Sequence, residues 1–121
     1  MDFTLSKEQT MARTLFREFA EKEIKPYAQE IDEEERFPSE ALEKFRKYKF
    51  MGIPYSKEYG GAGCDTLTYE MCIEEISKVC ATTSTMLSAH TSLGTWPIMK
   101  YGTPEQKAKY LPKLCSGEYL G

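Results

Sequence analysis

The residues best suited to bind a small ligand lie in one uncharged segment, residues 79–99. This segment runs 21 residues without an Asp, Glu, Lys or Arg, although 29% of the whole chain is charged. Such a segment is typical of the wall of a cavity for a small, mostly apolar ligand when short hydroxyl side chains recur along it. They recur here at Thr82, Thr83, Ser84, Thr85, Ser88, Thr91, Ser92 and Thr95.

Two interpretations of this segment stay open on the residues alone. A membrane span is excluded, because hydroxyls are frequent and Gly94 and Pro97 interrupt the segment. The residues by themselves favour a buried core helix, since Ser and Thr hydroxyls can bond back to their own backbone. The alternative is a helix that lines a ligand pocket. Helical spacing puts four side chains on one face: Met86, Ala89, His90 and Leu93.

The cysteines and the histidine do not form a metal site in the sequence. Cys64, Cys72, Cys80 and Cys115 include no C-x-x-C pair, and His90 is the only histidine. A zinc site therefore has little support, and we expect no bound metal. Free thiols are the simpler interpretation, because buried cysteine acts as a small hydrophobic residue.

The glycine-rich loop at residues 59–63 could be taken for a phosphate-binding turn. It lacks the preceding apolar strand and the glycine spacing of the dinucleotide fingerprint. The glycines are better explained by a tight turn that leads to Asp65, which can cap the next helix. We therefore predict no nucleotide site in this loop.

Length and charge narrow the class of protein. A chain of 121 residues suits one domain with its own core, but is short for an enzyme that encloses a large cofactor. The net charge of −3, with basic residues mixed among acidic ones, argues against a nucleic-acid partner. No signal or transit peptide and no membrane span is visible, so we expect a cytoplasmic protein without a membrane partner.

Apolar periodicity predicts an all-α fold, a helical bundle, over residues 1–121. No stretch shows the sustained alternation of a strand. Ser6 and Gln9 form a capping box at the start of the first helix. This helix should end or kink before Pro26, whose ring collides with the carbonyl of the preceding turn.

The middle of the chain predicts two further amphipathic helices. The first should begin at Pro38, bury Tyr48 along with its other apolar residues, and end at Gly52. The second should begin after Asp65 and carry a polar face that includes Glu75. The apolar residues of these two helices are Ala41, Leu42, Phe45 and Tyr48, then Tyr69, Cys72, Ile73, Ile76, Val79 and Cys80.

Three helices are predicted for the last part of the chain. Thr83 or Ser84 can cap one that runs to about Gly94, and Thr95 can cap a short one closed by Gly102. Residues 103–106 form a strong start signal for the last helix, which Ser116 and Gly117 end. Its apolar stripe is Ala108, Leu111, Leu114 and Cys115.

Taken together, these segments resemble the N-terminal helical domain of the acyl-CoA dehydrogenases, and the resemblance covers all 121 residues. The motifs stand in the family's order and spacing. They are residues 24–28, 51–61, 74–77, 92–94, 101–107 and 116–118. Residues 32–38 and 87–94 look closest to the short-chain, butyryl-CoA branch of anaerobic bacteria.

The resemblance implies the chemistry of a larger, FAD-dependent enzyme. In that family a carboxylate removes the α-proton of an acyl thioester while the β-hydrogen leaves as hydride to FAD, which gives trans-2-enoyl-CoA. The electrons then pass to an electron-transferring flavoprotein. The flavin-contacting segment and the catalytic glutamate of the family match no residue here. We therefore expect no catalytic or cofactor-binding residue, no bound FAD and no turnover in this chain alone.

The resemblance implies that this domain supplies one wall of the acyl-CoA pocket. The matching substrate-binding residues are Thr85, Met86, Ala89, His90 and Leu93. Because helical spacing had grouped nearly the same residues, the resemblance favours a pocket wall over a plain core helix. Met86 could limit the acyl length or simply fill the core. His90 could lie near the thioester or bond a neighbouring carbonyl.

Two other classes of protein remain as alternatives. The chain could be a stand-alone helical protein-interaction module, or an unrelated bundle in which residues 79–99 are merely core. The end of the chain begins to look extended, so we expect that more protein follows. An isolated domain of this kind would expose apolar surface, which predicts a homo-oligomer.

Overall fold

The computed structural model describes all 121 residues, and every regular element in it is helical. The α-helices are α1 Lys7–Phe19, α2 Lys25–Glu34, α3 Ser39–Tyr48, α4 Thr66–Ser77, α5 Ala81–Ser88, α6 Trp96–Tyr101 and α7 Pro104–Ser116. Two π-helical segments, Ala20–Ile24 and Ala89–Thr95, and two 3-10 turns, Phe50–Gly52 and Lys57–Tyr59, complete it. The all-α prediction is confirmed. None of these helices combines the length and apolarity that a bilayer crossing requires.

Aromatic side chains at the centre of the core join α1 to α3. Phe19 stacks on Phe45 with ring centroids 5.8 Å apart and meets Phe50 edge-on at 4.6 Å. Phe16 also packs edge-on against Phe50, at 5.5 Å. Such pairs add about 1 kcal/mol each beyond the apolar area that they bury. The same core extends into α4 and α5, so one cluster holds both halves of the chain.

The helix that begins at the predicted capping box runs through Pro26 rather than ending before it. Ser6 and Gln9 cap each other's backbone as expected, at 2.9 and 3.1 Å. Ahead of the proline the chain changes to the first π-helical segment, in which the N–H of Lys25 donates to the carbonyl of Ala20. This wider turn accommodates the ring and the missing donor of Pro26, so α2 continues directly.

Two details predicted for α3 are wrong, and both follow from where the helix ends. Lys49 adopts a left-handed conformation (φ 61°), which closes the helix directly after Tyr48. Tyr48 therefore lies at the helix end and stays 43% exposed, whereas the other predicted residues of this face are buried. Gly52 does not end α3. A Cβ there would stand 2.9 Å from the Cβ of Cys115, so glycine lets α7 pack closely.

Glu75 was predicted on a solvated face of α4, and the structure overturns this. Its side chain is 2% exposed and accepts hydrogen bonds from three cations. The Nε atoms of Arg13 and Arg17 lie 3.2 Å from its oxygens, and Lys78 Nζ lies at 2.8 Å. Glu75 thus contacts α1, while Glu70, Glu74 and Lys78 of the predicted polar face stay exposed.

The glycine-rich loop makes the tight turn that its composition predicted. A Cβ on Gly61 would stand 2.2 Å from the carbonyl oxygen of Tyr55, and Gly60 has a φ of 84°. The loop leads into α4, where Asp65 accepts the N–H of Thr68 at 2.8 Å. The predicted cap is therefore confirmed, and the glycines serve the turn.

At the end of α7 the apolar stripe is confirmed except for Ala108, which is exposed. Leu111, Leu114 and Cys115 are buried against the rest of the bundle. The capping box of Thr103 with Gln106 and the left-handed Gly117 at the helix end are both present.

We predict that Glu75→Gln lowers the free energy of unfolding by about 2 kcal/mol at pH 7. The reason is that three cations would lose the one negative charge with which all of them pair. The hydrogen bond from Arg17, with those from Lys78 and Arg13, lowers the pKa of Glu75 to about 2. Its contribution is therefore present above about pH 4.5 and is lost as the pH falls towards 2.

Urea unfolding across this pH range tests the prediction, with Glu70→Gln as the matched control. Glu70 also lies on α4, and its side chain is exposed. Equal losses of stability in the two variants would contradict the central role of Glu75.

Candidate functional site

The uncharged segment forms one continuous helical rod, made of α5, the second π-helical segment and α6. The rod begins at Cys80, not at the predicted caps Thr83 or Ser84. These two hydroxyls are buried against their surroundings instead. Thr83 Oγ1 donates to Cys80 Sγ at 3.2 Å, and Ser84 Oγ donates to the carbonyl of Ile73 on α4 at 3.3 Å. Neither hydroxyl therefore caps the start of the rod, and the bond of Ser84 joins the rod to α4.

The rod does not end at Gly94, because its hydrogen bonding changes to the π type at Ala89. Trp96 N–H donates to the carbonyl of Thr91, five residues earlier. Thr95 does not cap a new helix either, since its hydroxyl donates to the carbonyl of His90 at 2.8 Å. The predicted breaks are thus replaced by a wider turn, and side chains after Ala89 fall behind the α-helical spacing.

Three of the predicted substrate-binding residues line one surface recess. Thr85, Ala89 and Leu93 border a volume of about 330 Å³ between the rod and α4. No charged side chain lines this recess. Its other lining residues are Ile73, Ser84, Ser88 and Ser92. The surface is thus apolar with a hydroxyl edge, which suits a small and mostly apolar ligand.

The sequence analysis did not assign the serines of this recess to the site. Ser84, Ser88 and Ser92 recur at intervals of four, which is the spacing of one helix face. That signal is visible in the sequence, where these hydroxyls belong to the pattern typical of a cavity wall, although none of them was predicted to bind substrate. Ile73 carried no such signal, since it lies on a different helix and reaches the recess only through the packing of α4 on α5.

Met86 and His90 lie apart from the other three predicted residues. Met86 is half-buried and packs against the hydrophobic core. His90 is 0% exposed, and its Nε2 lies 2.9 Å from the carbonyl oxygen of Leu114 on α7. Leu93, by contrast, is 74% exposed. The single face expected from α-helical spacing is therefore divided, because the π-helical turn shifts the residues that follow it.

The hydrogen bonds of His90 define its tautomer. The N–H of Gly121 donates to Nδ1 at 3.0 Å, so Nδ1 is the acceptor. The carbonyl of Leu114 requires a donor, so Nε2 carries the proton. Burial lowers the pKa of His90, and backbone hydrogen bonding to Leu114 and Met51 offsets this only in part. The ring is therefore neutral at physiological pH, with both nitrogens occupied.

A second recess, of about 300 Å³, lies on the other side of the rod. Its aromatic walls are Tyr55, Tyr69 and Trp96. The hydroxyl of Tyr55 donates to the carbonyl of Thr91, which ties the π-helical segment to the loop before α4. The hydroxyl oxygen of Thr91 is buried and has no partner within the chain. None of the predicted substrate-binding residues lies here.

Thiol and carboxylate groups add no metal centre to these recesses. Cys64 is exposed, and Cys72, Cys80 and Cys115 are buried free thiols. No cluster of three or more His, Cys, Asp or Glu side chains is arranged to hold a metal ion. The buried Glu75 faces α1, away from both recesses.

The structure defines an all-helical domain with an uncharged recess along a hydroxyl-rich helical rod. Residues 6–118 match the family model described as "Acyl-CoA dehydrogenase, N-terminal domain". The chain belongs to the acyl-CoA dehydrogenase family.

Individual relatives agree with this assignment. The short-chain specific acyl-CoA dehydrogenase of Clostridium acetobutylicum is 58% identical over 121 residues, which are 100% of this chain and 32% of that protein. The mitochondrial short-chain specific enzyme of Bos taurus is 40% identical over 111 residues, 92% of this chain and 27% of that protein. The chain thus spans about a third of the length of the curated relatives that it matches.

Solved structures show the same fold. Butyryl-CoA dehydrogenase from Megasphaera elsdenii superimposes with a TM-score of 0.91 at 34% identity, over 100% of this chain and 32% of that one. A chain in the structure of the electron transferring flavoprotein of Acidaminococcus fermentans gives a TM-score of 0.93 at 40% identity, over 100% and 32%.

The burial of His90 predicts a pH dependence of stability that is separate from that of Glu75. Because its folded-state pKa is lowered, the unfolded chain binds a proton that the folded chain does not. Stability is therefore complete above pH 6.5 and falls below it, by up to about 1.4 kcal/mol per pH unit. Urea unfolding between pH 8 and pH 5 measures this slope, and His90→Gln should abolish it. An unchanged slope in the variant would assign the effect to other groups.

Proposed function

We propose that this chain is the N-terminal domain of a flavin-dependent dehydrogenase that oxidises short-chain acyl-CoA to trans-2-enoyl-CoA. In this proposal the recess at Thr85, Ala89 and Leu93 is one wall of the pocket that holds the acyl chain. The observation that carries the proposal is the uncharged, hydroxyl-edged recess at these residues. The short-chain specificity in the names of the relatives supports the substrate class.

The lining of the recess, rather than its volume, supports a small apolar ligand, since the recess is an open hollow on the surface. A four-carbon acyl chain is apolar and needs no charged partner, and Ala89 leaves room for it between Thr85 and Leu93. Met86 supports this wall from behind through its contact with the core.

The catalytic groups of the proposed reaction come from outside these residues. Glu75 is the one buried carboxylate, and three cations keep it ionised with a pKa of about 2, so it cannot serve as the base that removes the α-proton. FAD would accept the hydride. The work of this chain is to bind the acyl group and exclude water from it.

The partners in this proposal follow the family. The enzyme passes its electrons to an electron-transferring flavoprotein and works as a homo-oligomer in the cytoplasm. The similarity to a chain in the flavoprotein structure from Acidaminococcus fermentans supports the first part. Large apolar side chains on the surface support the second, because an assembled protein would cover them. They include Leu15, Trp96 and Tyr101.

We predict that Ala89→Leu lowers kcat/KM for butyryl-CoA about tenfold, because the added side chain occupies the recess. The loss should be larger for hexanoyl-CoA, which needs more of the same space. The assay uses the native-length enzyme loaded with FAD and an artificial electron acceptor. Ala108→Leu on the exposed face of α7 is the matched control. Equal, small effects of the two substitutions on both substrates would rule out the acyl wall.

A further inference from the structure

His90 connects the wall of the recess to the end of the chain. It follows Ala89 directly, yet its ring points away from the recess and is fully buried. Through Nε2 and Nδ1 it bonds Leu114 and Gly121, at 2.9 and 3.0 Å. Because two bonds in different directions leave a planar ring little freedom, they fix both the position and the rotation of this helical turn.

A close backbone contact repeats the connection one turn further along. A Cβ on Gly94 would stand 2.7 Å from the Cα and the carbonyl carbon of Gly121. The two backbones therefore touch directly, and only glycine permits this approach. We call His90, Gly94, Leu114 and Gly121 the exit contact, since they join the second π-helical segment to residues 117–121.

The rotation of this segment decides what faces the recess. A π-helical turn places each later residue at a different angle from an α-helical one. Carbonyls of the segment are occupied by side chains, since Tyr55 bonds that of Thr91 and Thr95 bonds that of His90. The exit contact fixes the segment against Leu114 and Gly121. Ala89 and Leu93 face the recess in this arrangement, and a change of helical type would rotate Leu93 relative to Ala89.

We propose that His90 is a positioning residue that sets the acyl-chain preference without contacting the acyl chain. It fixes the position and rotation of the second π-helical segment against α7 and Gly121. In this orientation the side chains of Ala89 and Leu93 face the recess. The inference rests on the proposed function of the recess, and it replaces the expectation that His90 lies near the thioester.

The test compares three substitutions in the native-length enzyme loaded with FAD. His90→Leu removes both hydrogen bonds, and His90→Gln keeps a donor for Leu114. Gly94→Ala disturbs the exit contact by another route and leaves His90 intact. Lys100→Ala, on α6 and without a side-chain partner, is the control. The readout is the ratio of kcat/KM for butyryl-CoA to that for hexanoyl-CoA.

We expect His90→Leu and Gly94→Ala each to change this ratio at least fivefold, mainly through KM. His90→Gln should recover part of the preference, because it restores one of the two bonds. The double variant His90→Leu/Gly94→Ala should change the ratio no more than the larger single change, since both act on one contact. Unchanged ratios in folded variants overturn the inference.

Two further results separate the possible failures. If Ala89→Leu shifts the ratio and the exit-contact variants do not, the role of His90 fails while the acyl wall stands. If Ala89→Leu is also without effect, the proposed function fails. The ¹⁵N resonances of the ring in the unaltered protein provide a test that needs no variant. They should show the Nε2–H tautomer at pH 7, and any other tautomer overturns the exit contact.

Discussion

The register of the second π-helical segment is the constraint on which the candidate site depends. From Ala89 onward, hydrogen bonds that span five residues decide which side chains reach the recess and which enter the core. His90 and Thr95 turn inward and are fully buried, whereas Leu93 stands mostly exposed. A wide helical turn is not favoured by the local sequence, so contacts from outside must stabilise it. Tyr55 supplies one of them, and the backbone of Gly121 supplies another.

Local signals in the sequence predicted the all-α class and the starts of α1, α3, α4 and α7, and they failed at several helix ends and where distant residues decide. The capping boxes at Ser6 and Thr103 involve residues three positions apart, and both are present. The burial of Glu75 could not be read from α4, because it depends on arginines about 60 positions away on α1. A carboxylate whose one partner nearby in the sequence is the exposed Lys78 reads as solvated until the packing of α1 on α4 is known.

The same distinction applies to the site. Of the residues that the sequence pattern grouped, Thr85, Ala89 and Leu93 share one recess. The pattern placed His90 with them because it assumed the α-helical repeat throughout. What removes His90 from the recess is a carbonyl 24 residues later and an N–H 31 residues later. Both bonds go to backbone atoms, so no side-chain type in the sequence could have predicted them.

The two interpretations of the uncharged segment, core helix and pocket wall, describe two sides of one rod. Thr83 and Thr95 use their hydroxyls for bonds inside the fold, as a core helix requires. That explains the lack of charge on the inner side only. The outer side, along Thr85, Ser88 and Ser92, borders a recess that is open to solvent. Charged residues there would stay hydrated, so burial does not explain their absence. Its lack of charge is therefore unexplained by the core of this domain. The proposed function explains it by an apolar group bound on that side, which is why the recess, and not the buried hydroxyls, supports the proposal.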